Sequence, residues 1–243
     1  MKKRRLVWLC LTAAALLMLW PALPDALPAD AAAVIPVDEE KYVALTFDDG
    51  PRADTTAALL DGLRERGASA TFFLVGEQIA GKEALVARMA REGHQVGNHT
   101  WSHAMLQEAP PETVRQEVGQ TEALLEQLLG AGEYWLRPPY GLLTPEQRQT
   151  IDVPMAHWMV DPEDWRLRNR EKVAEAVLSA VRPGDIILLH DTISESVAAA
   201  LDIVDALQRQ GYGFVTVEEL LRLHGTEPRQ GVMYRSADAV VTW

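Results

Sequence analysis

Two adjacent carboxylates end an apolar stretch near the start of the chain, in the sequence TFDDG at residues 46–50. Asp48 and Asp49 follow a run with the pattern of a buried strand, and Gly50 and Pro51 then turn the chain. Neighbouring acids repel each other, so a surface loop has little reason to carry them. A metal site would give them separate tasks, because one acid can bind the ion while the other accepts a proton from water.

A pair of histidines could supply the nitrogen ligands of such a site. His99 and His103 stand four residues apart in NHTWSH, and this spacing puts both imidazoles on one side if the segment turns helically. With one carboxylate they form a two-nitrogen, one-oxygen set that suits a divalent ion such as zinc. The pair alone is weak support, because the chain has six histidines and either one fits a buried, hydrogen-bonded role.

Three later stretches also carry reactive side chains. Arg137 opens RPPYG, where a stiff proline turn follows it, and it can orient a carboxylate through a charge-assisted hydrogen bond. Asp164 and Trp165 end DPEDW, and His190 ends the strand pattern LLH. Taken singly, each stretch fits a loop or a core segment as well as a catalytic site.

Other polar residues are interpreted as structural. Asp161 is assigned to a turn, and Asp191 with Thr192 to a helix cap. The remaining histidines in the body of the chain are assigned to packing or surface positions; they are His94, His157 and His224.

The elements that must position these residues alternate between strand and helix. Strand patterns occur at KYVALTF, ATFFLV, HQVGNH, YWLRPP, MAHWMVD, GDIILLH and GFVTV. Amphipathic patterns predict helices at residues 54–67, 82–93, 111–130, 169–181, 194–211 and 218–225, with a short helix near Pro145. This alternation favours a parallel sheet, either a barrel or a doubly wound sheet. The carboxyl ends of parallel strands meet on one face, so the reactive residues are predicted to share one pocket.

The chain ends differ from this central part. A basic start, MKKRR, precedes the apolar run Leu6–Trp20 and an Ala- and Pro-rich segment. That order is typical of an export signal, predicted for residues 1–31 and either cleaved or retained as a membrane anchor. Residues 32–40 are interpreted as a linker, 41–222 as the folded domain and 223–243 as a C-terminal tail.

Composition restricts the partners. The net charge of −12 argues against nucleic acid. The single cysteine, Cys10, lies inside the predicted export signal, so the exported part has no disulfide. Membrane contact is expected only through the N-terminal segment, and the protein is expected to be secreted or held at the cell surface.

Taken together and in order, the stretches TFDDG, HTWSH, RPPYG, DPEDW and LLH resemble the polysaccharide deacetylase family, carbohydrate esterase family 4, also called the NodB homology domain. The resemblance covers residues 41–222 and shows no departure at a motif position. It implies a distorted (β/α)7 barrel and a single catalytic domain. It also implies divalent-metal-dependent hydrolysis of N-acetyl groups on amino sugars.

The resemblance further implies a role for each motif residue. Metal ligands are expected at Asp49, His99 and His103, with zinc as the ion and cobalt or another divalent ion as alternatives. Asp48 is expected to be the general base oriented by Arg137, and His190 the general acid partnered by Asp164. The backbone N–H of Tyr140 would bind the oxyanion, and Trp165 and Leu188 would line the pocket of the acetyl methyl group.

An N-acetylated glycan, either peptidoglycan or a chitin-like oligosaccharide, is the expected substrate. Two alternatives stay open: hydrolysis of a small non-sugar amide, and glycan binding at the surface without turnover. A phosphatase of the haloacid dehalogenase type is disfavoured, because its motif needs Asp-x-Asp followed by Gly-Thr, whereas the acids here are contiguous and followed by Gly-Pro.

Overall fold

The computed structural model describes residues 41–242, which belong to one compact unit. The predicted export signal or anchor at 1–31 and the linker at 32–40 lie outside the described residues. Among residues 41–242, no helix is long and apolar enough to cross a membrane.

A parallel sheet forms the centre of the domain. The strands are β1 Tyr42–Asp48, β2 Thr71–Leu74, β3 Gln95–Asn98, β4 Met155–Ala156, β5 Ile186–His190, β6 Gly213–Phe214 and β7 Met233–Tyr234. The main sheet has the order β3-β2-β1-β5, β6 pairs with the beginning of β1, and β4 pairs with β7. All of these ladders are parallel, as the alternation of elements predicts.

Isolated parallel bridges connect the two sheets. Leu136 bridges Asn98 of β3 on one side and Met155 of β4 on the other. Val160, shortly after β4, bridges Ile187 of β5. Followed through these bridges, the strand path returns to its start, which is the connectivity of a distorted barrel.

Helices follow most of the strands. They are α1 Thr55–Glu65, α2 Gly76–Ile79, α3 Glu83–Arg91, α4 Pro111–Leu129, α5 Pro145–Arg148, α6 Asp164–Leu167, α7 Arg170–Ala180, α8 Ser194–Gln208 and α9 Val217–Leu223. The start and stop signals act as expected: Pro111 occupies the first turn of α4, and the chain leaves that helix at Gly130 with φ 94°. Asn169 caps α7 through its side chain.

The strand β1 separates the core from the site. Val43, Leu45 and Phe47 are fully buried in a cluster with side chains of α1 and α8. Alternate residues of a strand point to opposite faces, so Thr46 and Asp48 turn the other way, where Arg137 contacts both. One apolar strand therefore packs on the helices and presents a carboxylate to the interior.

Several parts of the fold differ from the sequence predictions: the short helices α2 and α6 were not predicted, and β4 covers only the first two residues of the predicted strand MAHWMVD. The segment predicted as the strand YWLRPP contributes only the two bridges at Leu136, because Pro138 and Pro139 lack the N–H groups that a ladder needs. The predicted tail at 223–243 is packed instead: α9 continues to Leu223, and β7 pairs with β4. A two-residue strand is too short to show a period in sequence.

We expect Met233→Ala to lower the free energy of unfolding by about 2–5 kcal/mol, the usual range when a buried methionine is truncated to alanine. Met233 is 2% exposed and packs in a cluster with Leu136 and Met155. Val240→Ala is the matched control, because Val240 belongs to the same segment and is 41% exposed. Urea unfolding measures both variants, and equal small effects would show that the segment is not part of the core.

Candidate active site

The carboxyl ends of the parallel strands bring the predicted residues together. Asp48 ends β1 and His190 ends β5, and the two are register partners in neighbouring strands. His99 follows β3, and Asp49 follows β1. Residues that are about 140 positions apart in sequence therefore share one end of the sheet.

Asp49, His99 and His103 form a three-ligand cluster. One potential ligand atom from each lies within 4.8 Å of the others. Asp49 Oδ1 is 3.5 Å from His99 Nε2 and 3.3 Å from His103 Nε2. This oxygen is buried and has no hydrogen-bond partner among the described residues. A carboxylate oxygen left without a partner between two imidazole nitrogens fits a divalent cation.

The ionisation of Asp49 and His103 also suits a cation. Burial raises the pKa of Asp49, but the close approach of His99 and the charges of His190 and His103 outweigh it and lower that pKa to about 2. Burial, followed by the charge of His99, lowers the pKa of His103. His99 Nδ1 donates to the carbonyl oxygen of Arg137 at 2.6 Å, which directs Nε2 toward Asp49.

The histidine pair is not presented by a helix, so the helical interpretation of its spacing was wrong. Residues 99–103 form an irregular loop. Thr100 and His103 have left-handed backbones, with φ of 67° and 60°, and Asp49 has φ 73°. Such conformations cost energy in residues other than glycine and are often found at functional sites.

Asp48 is held by a buried arginine. Arg137 is fully buried, and its Nη1 donates to Asp48 Oδ1 at 2.8 Å and to Thr46 Oγ1 at 2.7 Å. Its Nη2 donates to the carbonyl oxygen of His157 at 2.8 Å, and the guanidinium lies 4.2 Å over the ring of Phe73. The other Asp48 oxygen, Oδ2, faces His99 Nε2 at 3.6 Å.

His190 is coupled to a second buried acid. Asp164, the fully buried first residue of α6, accepts from His190 Nδ1 at 2.8 Å and from the His190 backbone N–H at 2.9 Å. Burial lowers the pKa of His190, but the hydrogen bond and charge of Asp164 outweigh it and raise that pKa to about 9. His190 Nε2 faces Asp49 Oδ2 at 3.9 Å. The imidazole therefore carries a proton toward the cluster at neutral pH.

The remaining predicted residues lie around these groups. Tyr140 has φ 61°, is 55% exposed, and its ring centroid is 4.9 Å from that of His103. Trp165 directly follows Asp164 and is half exposed. Leu188 is buried two residues before His190, on the same face of β5. Their roles toward a substrate stay predictions.

Asp191 was interpreted as a helix cap, and this interpretation was wrong. Ile193 is the N-cap of α8, whereas Asp191 is fully buried and accepts a hydrogen bond from Thr56 of α1. Burial raises the pKa of Asp191 to about 7. Gly50 packs against its carboxyl group so closely that a Cβ would collide. The only sequence signal was its position directly after a strand end.

Sequence reasoning also missed an open cleft of about 420 Å³ beside the cluster. Asp49 and His103 line one part of it, and Gln78 of α2, Lys82 and Ser102 are among the other lining residues. The cleft gives the cluster access to solvent and room for a ligand.

Comparison with known proteins agrees with this geometry. Residues 36–152 match the family model described as polysaccharide deacetylase. A peptidoglycan-N-acetylglucosamine deacetylase of Bacillus cereus is 35% identical over 193 residues, which cover 76% of this chain and 90% of that protein. The chain belongs to the polysaccharide deacetylase family. Its α/β fold with a parallel sheet is the fold of solved members of this family.

Two further relatives define the extent of the similarity. The peptidoglycan-N-acetylmuramic acid deacetylase PdaC of Bacillus subtilis is 38% identical over 181 residues, which cover 74% of this chain. The match spans only 39% of PdaC. The solved family 4 acetyl xylan esterase from Clostridium thermocellum, in complex with a cobalt ion, superposes with a TM-score of 0.78 at 34% identity, covering 82% of this chain and 100% of that one.

Two substitutions test the division between the neighbouring acids. We expect His99→Ala to weaken zinc binding by more than the roughly 10–100-fold that loss of an outer partner costs, because it removes a ligand. Asp48→Asn should keep zinc affinity near that of the native protein, because Asp48 is not one of the three clustered ligands and an asparagine amide oxygen can still accept from Arg137. Competition with a zinc-binding dye measures both. If both variants lose the metal equally, the assignment of ligand and base is incorrect.

The coupling of His190 to Asp164 predicts a pH dependence. In the folded protein the pKa of His190 is about 9, above its ordinary value of 6.5. Its pairing with Asp164 therefore stabilises the folded protein fully below pH 6.5, and this stabilisation is lost as the pH rises through 9. In the metal-free protein, Asp164→Asn should lower the titration midpoint of the His190 imidazole from about 9 toward 6.5. NMR titration of the imidazole measures this midpoint.

His94 is the internal reference for this titration. Burial lowers its pKa to about 4, and Asp164 is not among the groups that act on it. A His190 midpoint that is unchanged in Asp164→Asn would contradict the coupling.

Proposed function

We propose that the chain is a metal-dependent hydrolase that removes N-acetyl groups from amino-sugar polysaccharides, either peptidoglycan or chitin-like oligosaccharides, at the cell surface. One observation carries the proposal: the Asp49, His99 and His103 cluster is next to two buried pairs, Arg137–Asp48 at 3.6 Å and Asp164–His190 at 3.9 Å. Hydrolysis of an amide needs a base for water and an acid for the leaving amine, and this site offers both.

The cluster suits a resident divalent cation. Two imidazoles and one carboxylate are a ligand set typical of catalytic zinc, and cobalt or another divalent ion fits the same donors. When bound, such an ion would supply Lewis-acid chemistry to the acetyl carbonyl and to water.

Asp48 is the general base in this proposal. Arg137 occupies Oδ1, so Oδ2 is the oxygen that accepts a proton. The strand β1 and the buried guanidinium hold this carboxylate in one orientation toward the cluster. It therefore does not need to reorient during the reaction. Water that loses its proton to Oδ2 adds to the carbonyl carbon of the acetyl group.

His190 completes the cleavage as the general acid. Asp164 holds Nδ1, so the transferable proton is on Nε2. As the bond between the carbonyl carbon and the amide nitrogen breaks, the Nε2 proton passes to that nitrogen, which leaves as the amine while acetate remains. The Tyr140 N–H donates to the oxyanion, and Trp165 and Leu188 accommodate the acetyl methyl group.

The glycan substrate is supported by the relatives. Those of Bacillus cereus and Bacillus subtilis are named for deacetylation of N-acetylglucosamine and N-acetylmuramic acid in peptidoglycan. The basic and apolar N-terminal sequence supports export to the compartment where such polymers occur.

Acetate release from N-acetylglucosamine oligomers and purified peptidoglycan, with zinc or cobalt added, tests the proposal. We expect Asp48→Asn to reduce the rate by about 10²–10⁴-fold, the usual contribution of a general base. Asp61→Asn is the control, because Asp61 is an exposed carboxylate of α1 paired with Arg88.

Other outcomes identify the alternatives. Release only from small non-sugar amides would indicate an amidase. Sugar binding with no difference in turnover between the native protein and Asp48→Asn would indicate a binding protein. Either result would overturn the proposal.

A further inference from the structure

The loop that carries both histidines has no regular structure of its own. It connects β3 to the segment before α4, and two of its residues, Thr100 and His103, have left-handed backbones. A loop in such conformations keeps its shape only when its surroundings hold it. The position of His103 therefore depends on contacts outside the loop.

On one side the loop rests on the start of α2. The backbone N–H groups of Gly76 and Glu77 donate to the carbonyl oxygens of Thr100 and Trp101, at 2.9 and 3.0 Å. The indole of Trp101 packs against Gly76 so closely that a Cβ there would collide. These contacts fix the first half of the loop.

On the other side α4 holds the loop through Glu117. The Glu117 carboxylate accepts two hydrogen bonds from Ser102, from the backbone N–H to Oε2 and from the hydroxyl to Oε1, both 2.8 Å long. Bonds to an ionised carboxylate are stronger than those between neutral groups, and the two together fix orientation as well as position. Ser102 directly precedes His103, so this contact holds the backbone next to the predicted metal ligand.

A second contact from the same helix holds the other histidine. The Asn98 side-chain amide donates to the carbonyl oxygen of Val118 at 2.9 Å, and its oxygen accepts from the Thr100 N–H at 2.8 Å. Neighbouring residues of α4, Glu117 and Val118, thus reach both ends of the segment between His99 and His103.

We propose that Glu117 is a positioning residue of the metal centre, which through Ser102 holds His103 in the orientation that completes the three-ligand set. The inference rests on the metal-binding part of the proposed function and is independent of the substrate. Glu117 is half-buried and forms no hydrogen bond or ion pair with Asp49, His99 or His103, so its effect passes through the loop.

The test measures zinc affinity of the 243-residue chain by competition with a zinc-binding dye, together with the thermal unfolding of the metal-free protein. We expect Glu117→Ala to weaken zinc binding by about tenfold or more, the scale seen when an outer partner of a ligand is lost. Glu117→Gln should restore most of the affinity, because its amide oxygen can accept from the Ser102 N–H and its NH₂ group can donate to the hydroxyl.

Glu112→Ala is the matched control. Glu112 is a carboxylate in the first turn of the same helix, exposed and paired with Arg115. It should leave zinc affinity unchanged. Substituting Co²⁺ for Zn²⁺ adds a spectroscopic readout, because the visible absorption of the bound ion changes when His103 no longer ligates it.

The outcomes separate positioning from general stability. A folded Glu117→Ala protein with native zinc affinity and a native cobalt spectrum overturns the proposal, as does equal weakening in Glu112→Ala. If Glu117→Ala does not fold, Ser102→Ala replaces it, since it removes one of the two hydrogen bonds and should weaken zinc binding by a smaller factor. Native affinity in Ser102→Ala would then overturn the proposal.

Discussion

The site depends on a buried ion pair, Arg137 with Asp48. A guanidinium with no exposed surface is unfavourable unless its charge and its donors are satisfied, and here Asp48, Thr46 and a backbone carbonyl satisfy them. Removing Asp48 would leave an uncompensated buried charge. The pair therefore fixes both the end of β1 and the orientation of the carboxylate that terminates it.

This constraint explains how two adjacent acids come to differ. Asp48 continues the strand and points inward to Arg137, whereas Asp49 has a left-handed backbone and turns toward His99 and His103. Across the strand pair, Asp164 holds His190 in the protonated form. A carboxylate fixed by Arg137 and an imidazole kept protonated by Asp164 can then act as base and acid in one site.

Much of this arrangement could be predicted from sequence. The alternation of strands and helices predicts a parallel sheet, and the rule that parallel strands end on one face gathers Asp48, His99 and His190. Sequence could not show how His99 and His103 converge, because their loop is shaped by α2 and α4 rather than by its own spacing. The buried position of Asp191 was not predicted for a similar reason, since its hydrogen-bond partner Thr56 is 135 residues away in the sequence. The strand β7 was missed because two residues carry no period.

The central claim is that the neighbouring acids perform separate tasks, and a crystal structure of the zinc-loaded protein tests it most directly. Anomalous scattering at the zinc edge would locate the ion without reference to the protein atoms. The account predicts an ion bound by Asp49 Oδ1 and by Nε2 of His99 and His103, with Asp48 still paired with Arg137. An ion bound by Asp48, with Asp49 turned away, would contradict it.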